Sequence, residues 1–288
     1  MVQPYEWMVQ PTAQTEWVEG RGILLWLAFF FIELGAGIYF VASLMGDVLA
    51  MTTGWLVCGI LGGGLHLLYL GRPGRFYRMF ARPQSSWISR GMIFVTLFLT
   101  LGLITIFLML RGGQAFGLQA LTVILAFLVV IYGGFAMCCI NGLALWNTAL
   151  LPILYVVSGF WGGAGVTMLV SIISGSEGIF LTLVTWGHVL FITFVVLLST
   201  YLLSMKYGSG TARESITEIL RGRGAFLFWI GVVVVGMVIP LGIITVGFMW
   251  MSVATLFLSV LCELAGDLSM RYLILRYAFY SPLMPSRM

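Results

Sequence analysis

The chain has 288 residues, of which 61% are hydrophobic, 15% are aromatic and only 8% carry a charge. An ordinary soluble domain carries about 25% charged residues. The composition therefore excludes a soluble globular protein and indicates a protein whose main solvent is lipid. The formal net charge is only +4, which argues against nucleic acid as a partner because nucleic-acid binding depends on a large positive surface.

Eight apolar stretches follow one another along the chain, each long enough to cross a bilayer, which takes about 20 residues. They cover residues 23–45, 52–70, 91–110, 118–140, 150–172, 182–204, 224–247 and 249–270. We therefore predict an all-α integral membrane protein with eight transmembrane helices, or spans. Long connections at 71–90 and 205–223 occupy equivalent places in the two halves, which favours two four-helix bundles.

These stretches divide the chain into four predicted parts. An N-terminal extramembrane segment (1–22) precedes the first four-helix bundle (23–145). The second four-helix bundle (146–276) is followed by a C-terminal tail (277–288). Residues 1–22 contain no apolar run, so we expect no cleaved signal peptide there.

An even number of spans places both termini on one side of the membrane, which we call the terminal side. Thirteen of the fourteen Lys and Arg residues are predicted to lie there, and only Arg111 on the opposite face. The thirteen are Arg21, Arg72, Arg75, Arg78, Arg82, Arg90, Lys206, Arg213, Arg221, Arg223, Arg271, Arg276 and Arg287. The positive-inside rule then predicts a cytoplasmic terminal side in the cell (inner) membrane.

Five ionisable side chains fall inside the predicted spans: Glu33, His66, His188, Glu263 and Asp267. Ionisable groups are costly in lipid, so each is a candidate for function. The two histidines differ in depth by ~20 Å at helical rise, so they cannot share a haem. The cysteines are not clustered as metal ligands would be. We therefore predict no haem, no metal site and no iron–sulfur cluster in this chain.

Asp267 and Arg271 are four residues apart in the last predicted span. This spacing predicts an ion pair along one face of a helix. Glu263 lies one turn deeper in the membrane, and the sequence assigns it no partner.

Glu33 in span 1 and Tyr132 in span 4 are predicted at one depth, ~12–15 Å below the terminal-side surface. With no cationic partner expected for the carboxyl, the pair could line a slot for a flat ring. The flanking glycines Gly35, Gly37, Gly133 and Gly134 would open that slot. The alternative is that the glutamate bonds to another helix and the tyrosine only fills space. His66 could exchange protons, or it could simply be hydrated near the interface.

Five arginines crowd the connection between spans 2 and 3: Arg72, Arg75, Arg78, Arg82 and Arg90. Membrane orientation needs only a few positive charges, and Pro73 and Pro83 give this connection a defined backbone. Arginine suits bidentate recognition of carboxylates and phosphates. We expect the five arginines to dock an acidic protein partner or to steer an anionic group; the alternative is binding of lipid headgroups.

Three segments resemble the NrfD/polysulfide reductase membrane subunit (PsrC-like) family. They are LGRPGRFYRMFARPQSSWISRG at 70–91, IYGGFAM followed by ALWNTALLPILYVVSG at 131–159, and CELAGDLSMRYLI at 262–274. The resemblance implies an eight-helix subunit without its own redox centre that exchanges electrons with a quinone pool in anaerobic respiration. It implies menaquinone or ubiquinone as cofactor. It also implies a four-cluster iron–sulfur partner and a molybdopterin or other catalytic subunit.

Tyr132 matches the quinone-site tyrosine of that family. The family's polar Asn or His near the start of the first helix is missing, because residues 24–28 read LLWLA. The resemblance thus implies a quinone site in the first bundle, with Glu33, Tyr132 and His66 orienting the headgroup and relaying protons. Gly35, Gly37 and Gly133 would line it.

Two other functions remain open from the residues. An ion or solute transporter could use Glu33, Glu263 and a kink at Pro240 as its pathway. A lipid-binding or assembly scaffold without turnover is the third possibility. Co-purification of iron–sulfur polypeptides and quinone would favour the respiratory subunit.

Overall fold

A computed structural model describes residues 6–113, 116–247 and 252–284. Within these residues eight helices are long and apolar enough to cross a membrane. Spans 1 to 8 are Gly22–Met45, Val48–Tyr69, Trp87–Leu110, Phe116–Cys138, Leu150–Ile173, Phe180–Lys206, Leu227–Thr245 and Val253–Arg276. The predicted all-α membrane fold with eight spans is confirmed. The predicted boundary near Phe248 lies outside the described residues.

Polar side chains determine where several spans begin. Asp47 accepts a hydrogen bond from the Ala50 amide at 2.9 Å, which caps span 2. Ser86 accepts from the Ser89 amide in the same way, so span 3 begins at Trp87. Each cap satisfies one of the amide groups that a helix leaves free at its first turn. Span 1 ends just before Asp47 at Gly46, whose φ of 73° is the left-handed conformation that favours glycine.

Span 1 is the most enclosed helix and packs against spans 2, 4 and 5. Gly35 lies against the backbone of Gly54 and Cys58 in span 2. Gly37 lies against Gly159 in span 5, where an added Cβ would collide with the Gly159 carbonyl. Small residues let membrane helices approach this closely. The glycines near Glu33 thus hold span 1 against its neighbours.

The buried side chains form two large clusters that correspond roughly to the two halves of the sequence. One cluster is built from spans 1 to 4, and the other mostly from residues 137–278. Spans 1 and 4 also pack directly against span 5, so the two halves share a continuous interface. The division into two separate bundles therefore stays a prediction.

The described segments nearest the two termini pair with each other, so both lie on one side of the membrane, as predicted. Strand β1 (Thr12–Ala13) pairs antiparallel with strand β2 (Phe279–Tyr280). The connection between spans 4 and 5 lies beside them, since Leu143 forms a bridge with Tyr280. Trp146 in this connection is fully buried and donates to the Ile274 carbonyl at 2.8 Å. This bond anchors the connection to span 8.

Span 7 is irregular, as the proline within it leads one to expect. Its first part, Leu227–Val238, has π-helical hydrogen bonding, and α-helical bonding resumes at Ile239–Gly247. Span 2 contains a shorter π-helical stretch at Val57–Gly63. The remaining short helices lie outside the spans. They are Glu6–Val9, the 3₁₀ helices Pro73–Phe80 and Glu177–Ile179, and Gly210–Leu220.

Candidate functional site

A network of charged side chains lies buried between spans 1, 5 and 8. Arg271 donates from Nη1 to Glu33 Oε2, from Nε to Asp267 Oδ2 at 3.0 Å, and from Nη2 to Ser158 Oγ at 2.7 Å. Its guanidinium carbon lies 4.4 Å from the centroid of the Tyr155 ring. Buried charges are normally paired and hydrogen-bonded because an isolated charge in an apolar medium is very costly.

The ion pair between Asp267 and Arg271 is the predicted one, and the structure confirms it. The expectation that Glu33 has no cationic partner is wrong, because Arg271 bonds to it. Arg271 was predicted to lie on the terminal-side surface, but its side chain is only 3% exposed. Removing it leaves twelve terminal-side Lys and Arg residues, of which Arg287 is outside the described residues.

The second carboxylate oxygen of Glu33 faces span 4. An added Cβ on Gly133 would collide with Glu33 Oε1, so the glycine makes room for the carboxyl. Oε1 is buried and has no hydrogen-bond partner among the described residues. Tyr132, the neighbour of Gly133, is 2% exposed, and its phenol is close enough to the Glu33 carboxyl for the two groups to interact electrostatically. The predicted approach of spans 1 and 4 at this depth is thus present.

Phe29 contacts two of the candidate residues. Its ring centroid is 5.3 Å from that of His66, edge to face, and 5.8 Å from that of Tyr132. His66 is half-buried, and its Nδ1 atom is enclosed without a partner in the described part of the chain. Tyr132 packs its ring on Gly91 at the start of span 3. Glu33, Tyr132 and His66 therefore belong to one region in the terminal-side half of the membrane.

The glycines of the expected slot are used differently from the prediction. Gly35 and Gly37 are covered by the backbones of spans 2 and 5, and Gly134 lies against Pro152 of span 5. These three positions therefore serve helix contact and offer no surface to a ligand. Gly133 is the one of the four that faces a candidate side chain, the carboxyl of Glu33.

The arginine-rich connection is exposed on the terminal side. Four of its arginines have exposed side chains: Arg72, Arg75, Arg78 and Arg82. Arg90 differs, because it donates to the carbonyls of Pro83 and Gln84 at 2.7 Å each. Its guanidinium also lies over the Trp87 ring, 4.7 Å from the centroid. Arg90 therefore holds the connection in shape, whereas the other four are free to meet a partner.

Neither Arg271 nor Ser158 is among the predicted members of the site. Arg271 belongs to the same chain segment as Asp267, but its partner Glu33 is 238 residues away. One signal was available in the sequence. The apolar residues 272–275 continue the last predicted stretch beyond Arg271, which places this arginine in the membrane, where it needs a buried carboxylate.

Comparisons with known proteins place these features in a family. The chain matches the family described as "Polysulphide reductase, NrfD" over residues 20–281. It is 24% identical to Protein NrfD of Escherichia coli (strain K12) over 236 aligned residues, and the alignment covers 69% of this chain and 71% of that protein. It is 29% identical to the C chain of polysulfide reductase from Wolinella succinogenes over 167 residues, 55% of this chain and 52% of that protein.

A third relative, the Protein NrfD homolog of Haemophilus influenzae, is 26% identical over 129 residues, 43% of this chain and 40% of that protein. The family match includes all eight spans, the arginine-rich connection and the Arg271 network. The chain therefore belongs to the NrfD polysulphide reductase family and is a multi-pass membrane protein.

Proposed function

We propose that this chain is the quinone-reactive membrane anchor of a respiratory oxidoreductase complex. It exchanges electrons between the membrane quinone pool and a partner iron–sulfur protein. The observation that carries the proposal is a set of polar groups without hydrogen-bond partners in the region around Phe29. There His66 Nδ1 and Glu33 Oε1 are enclosed without partners, and Tyr132 makes no hydrogen bond among the described residues. Buried polar atoms normally have partners, so these groups suit a polar ligand.

A quinone fits this set of side chains because its carbonyl oxygens accept hydrogen bonds and its ring is flat and apolar. When bound, it supplies two-electron, two-proton redox chemistry. The Tyr132 hydroxyl donates a hydrogen bond to a quinone carbonyl oxygen, and this bond fixes the orientation of the ring. Phe29, whose ring contacts both His66 and Tyr132, makes the surroundings of these polar groups apolar.

Glu33 and His66 handle protons in this proposal. Arg271 holds Glu33 through Oε2, which leaves Oε1 directed at Gly133 and able to take up or deliver a proton. His66 is nearer the terminal-side end of its helix, three residues from Tyr69. It can therefore pass protons between the buried carboxyl and the water outside. The proton exchange takes place on the side where the termini lie, which we propose to be the cytoplasm.

The partner surface is the exposed part of the connection between spans 2 and 3. Arg72, Arg75, Arg78 and Arg82 form no ion pair within the described residues, so they are free for an acidic protein surface. We propose a four-cluster iron–sulfur protein there, associated with a molybdopterin or other catalytic subunit. Two aromatic rings in contact, Phe76 and Phe80, lie among these arginines, with their centroids 5.7 Å apart. They add an apolar centre to a charged rim, as protein interfaces have.

Purification of the native complex tests the proposal. We expect iron–sulfur polypeptides and a quinone to co-purify with the chain, and quinol oxidation to depend on Glu33. Glu33→Gln keeps the shape but cannot exchange a proton, so turnover should fall by ~10²-fold or more. The matched control is Glu214→Gln on the exposed surface. A chain that purifies without such partners, and transports an ion or solute instead, would refute the proposal and favour a transporter.

A further inference from the structure

Glu263 in span 8 is a buried carboxyl that the candidate site does not use. It is 4% exposed, and its Oε1 has no hydrogen-bond partner among the described residues. Asp267, one turn along the helix, pairs with Arg271. The positive charge of Arg271 is therefore already paired with another carboxylate. An unpaired carboxylate in lipid is costly. Glu263 therefore has reason to hold a proton, and no partner within the described part of the chain explains its presence.

A small cavity lies beside this carboxyl, between spans 5, 6, 7 and 8. Its volume is about 30 Å³, which is large enough for a water molecule. Among the described residues that line it, Glu263 and His188 are the only ionisable ones, and the others are glycine, proline or apolar. Gly165 leaves the space open, since an added Cβ there would be 3.2 Å from Glu263 Oε2.

His188 is arranged to act as a proton acceptor toward this cavity. Its Nδ1 lies 2.8 Å from the Val184 carbonyl oxygen. A carbonyl can only accept, so Nδ1 carries the hydrogen and Nε2 is left with a free lone pair. His188 lies eight residues from the start of span 6 at Phe180, which is ~12 Å from the face opposite the termini. Glu263 lies ~15 Å from that face by the same measure.

We propose that Glu263 is a proton-binding site loaded from the face opposite the termini, through His188 and the cavity. His188 Nε2 takes a proton from water on that side and passes it through a water in the cavity to a Glu263 carboxylate oxygen. In the first transfer an O–H bond of a hydronium ion breaks as the N–H bond at Nε2 forms. In the second that N–H bond breaks, an O–H bond forms at Glu263, and the imidazole returns to its neutral state. No electron moves and no other reactant is needed.

The surroundings of Glu263 also provide an onward acceptor. Asp267 is the charged group nearest along span 8, one turn or ~6 Å toward the terminal side. Its Oδ1 atom is buried and without a partner in the described residues, and its Oδ2 atom joins the Arg271 network. The proton-binding site thus adjoins the network that holds Glu33. This inference stands on the cavity and on Glu263, and it does not require that a quinone binds.

The test measures from which side Glu263 receives its proton. The full chain is placed in lipid vesicles with one orientation and treated with a hydrophobic carbodiimide, which reacts with protonated carboxyls in apolar surroundings. Peptide mass spectrometry locates the label. We expect the label on Glu263 and several-fold less on Asp267 and Glu33, which Arg271 holds. The rate should rise when only the side opposite the termini is acidified.

Two variants complete the test. His188→Gln should reduce the response to acid on that side several-fold, whereas Trp186→Phe, an exposed neighbour on the same span, should leave it unchanged. Absence of label on Glu263, or a rate that follows the pH of the terminal side, overturns the proposal. An unchanged response in His188→Gln overturns the role of that histidine. The wild-type measurement alone decides sidedness and needs neither quinone nor partner, so its result is independent of the proposed function.

Discussion

Replacing Arg271 with methionine should destabilise the protein more than any other loss of a single positive charge in the described chain. Methionine has a similar length and packs well in apolar surroundings, so the main loss is the guanidinium. That group donates to Glu33, Asp267 and Ser158. Its removal leaves two carboxylates buried together without a counter-charge.

The expected size of the effect follows from burial. Removing one partner of a buried ion pair costs about 3–5 kcal/mol in the free energy of unfolding, or roughly 10²–10⁴-fold in the equilibrium constant. Arg276→Met is the matched control, since its pair with Glu19 at 2.9 Å is open to solvent, with side chains 24% and 55% exposed. Pairs of that kind contribute about 0–1 kcal/mol. The contrast between the two arginines should therefore be several kcal/mol.

Reversible unfolding in mixed micelles, followed by tryptophan fluorescence, measures both variants. A triple variant with Arg271→Met, Glu33→Gln and Asp267→Asn should recover much of the lost stability, because it leaves no charge buried without a partner. If Arg271→Met costs no more than Arg276→Met, the network does not hold the spans together. A triple variant as unstable as Arg271→Met would show that packing, and not charge, accounts for the loss.

Three further results are expected. Tyr132→Phe should weaken quinone binding about threefold to tenfold, the value of one hydrogen bond, with normal folding; Tyr207→Phe on the exposed surface should not. Neutralising Arg75, Arg78 and Arg82 together should slow partner association at low salt. Neutralising an equal number of terminal-side charges elsewhere, at Lys206, Arg213 and Arg221, should not slow it. Single cysteines at Ser86 and Ser176 should be labelled from the cytoplasm and from outside, respectively, and the reverse pattern would invert the predicted orientation.

The spans could be read from the sequence because lipid imposes a simple requirement on length and hydropathy. The helix Phe180–Lys206, for example, has 27 residues and is apolar enough to cross the membrane. The ends were less accurate where a polar cap decides them. Span 2 begins at Val48 because Asp47 caps it, four residues before the apolar run makes the helix obvious.

The site was only partly readable because its parts come from distant segments. Depth along a helix can be counted, so Glu33 and Tyr132 were matched correctly across spans 1 and 4. The angular position of a side chain around its helix cannot be counted without knowing the neighbours. Gly35 and Gly37 therefore looked like a slot and proved to be contacts with spans 2 and 5. Arg271 was assigned to the surface for a different reason, because the predicted stretch ended at residue 270 whereas the helix continues to Arg276.

The Arg271 network also bears on how the two halves of the chain depend on each other. The candidate carboxyl, Glu33, comes from the first half, but its bonding partner Arg271 comes from the last span. Ser158, from the first helix of the second half, bonds to the same guanidinium. A fragment ending at residue 145 would keep Tyr132 and His66 but would leave Glu33 buried without its cation. The first four spans therefore need the second four to fix the protonation and direction of their central carboxyl, even though the largest apolar clusters separate by halves.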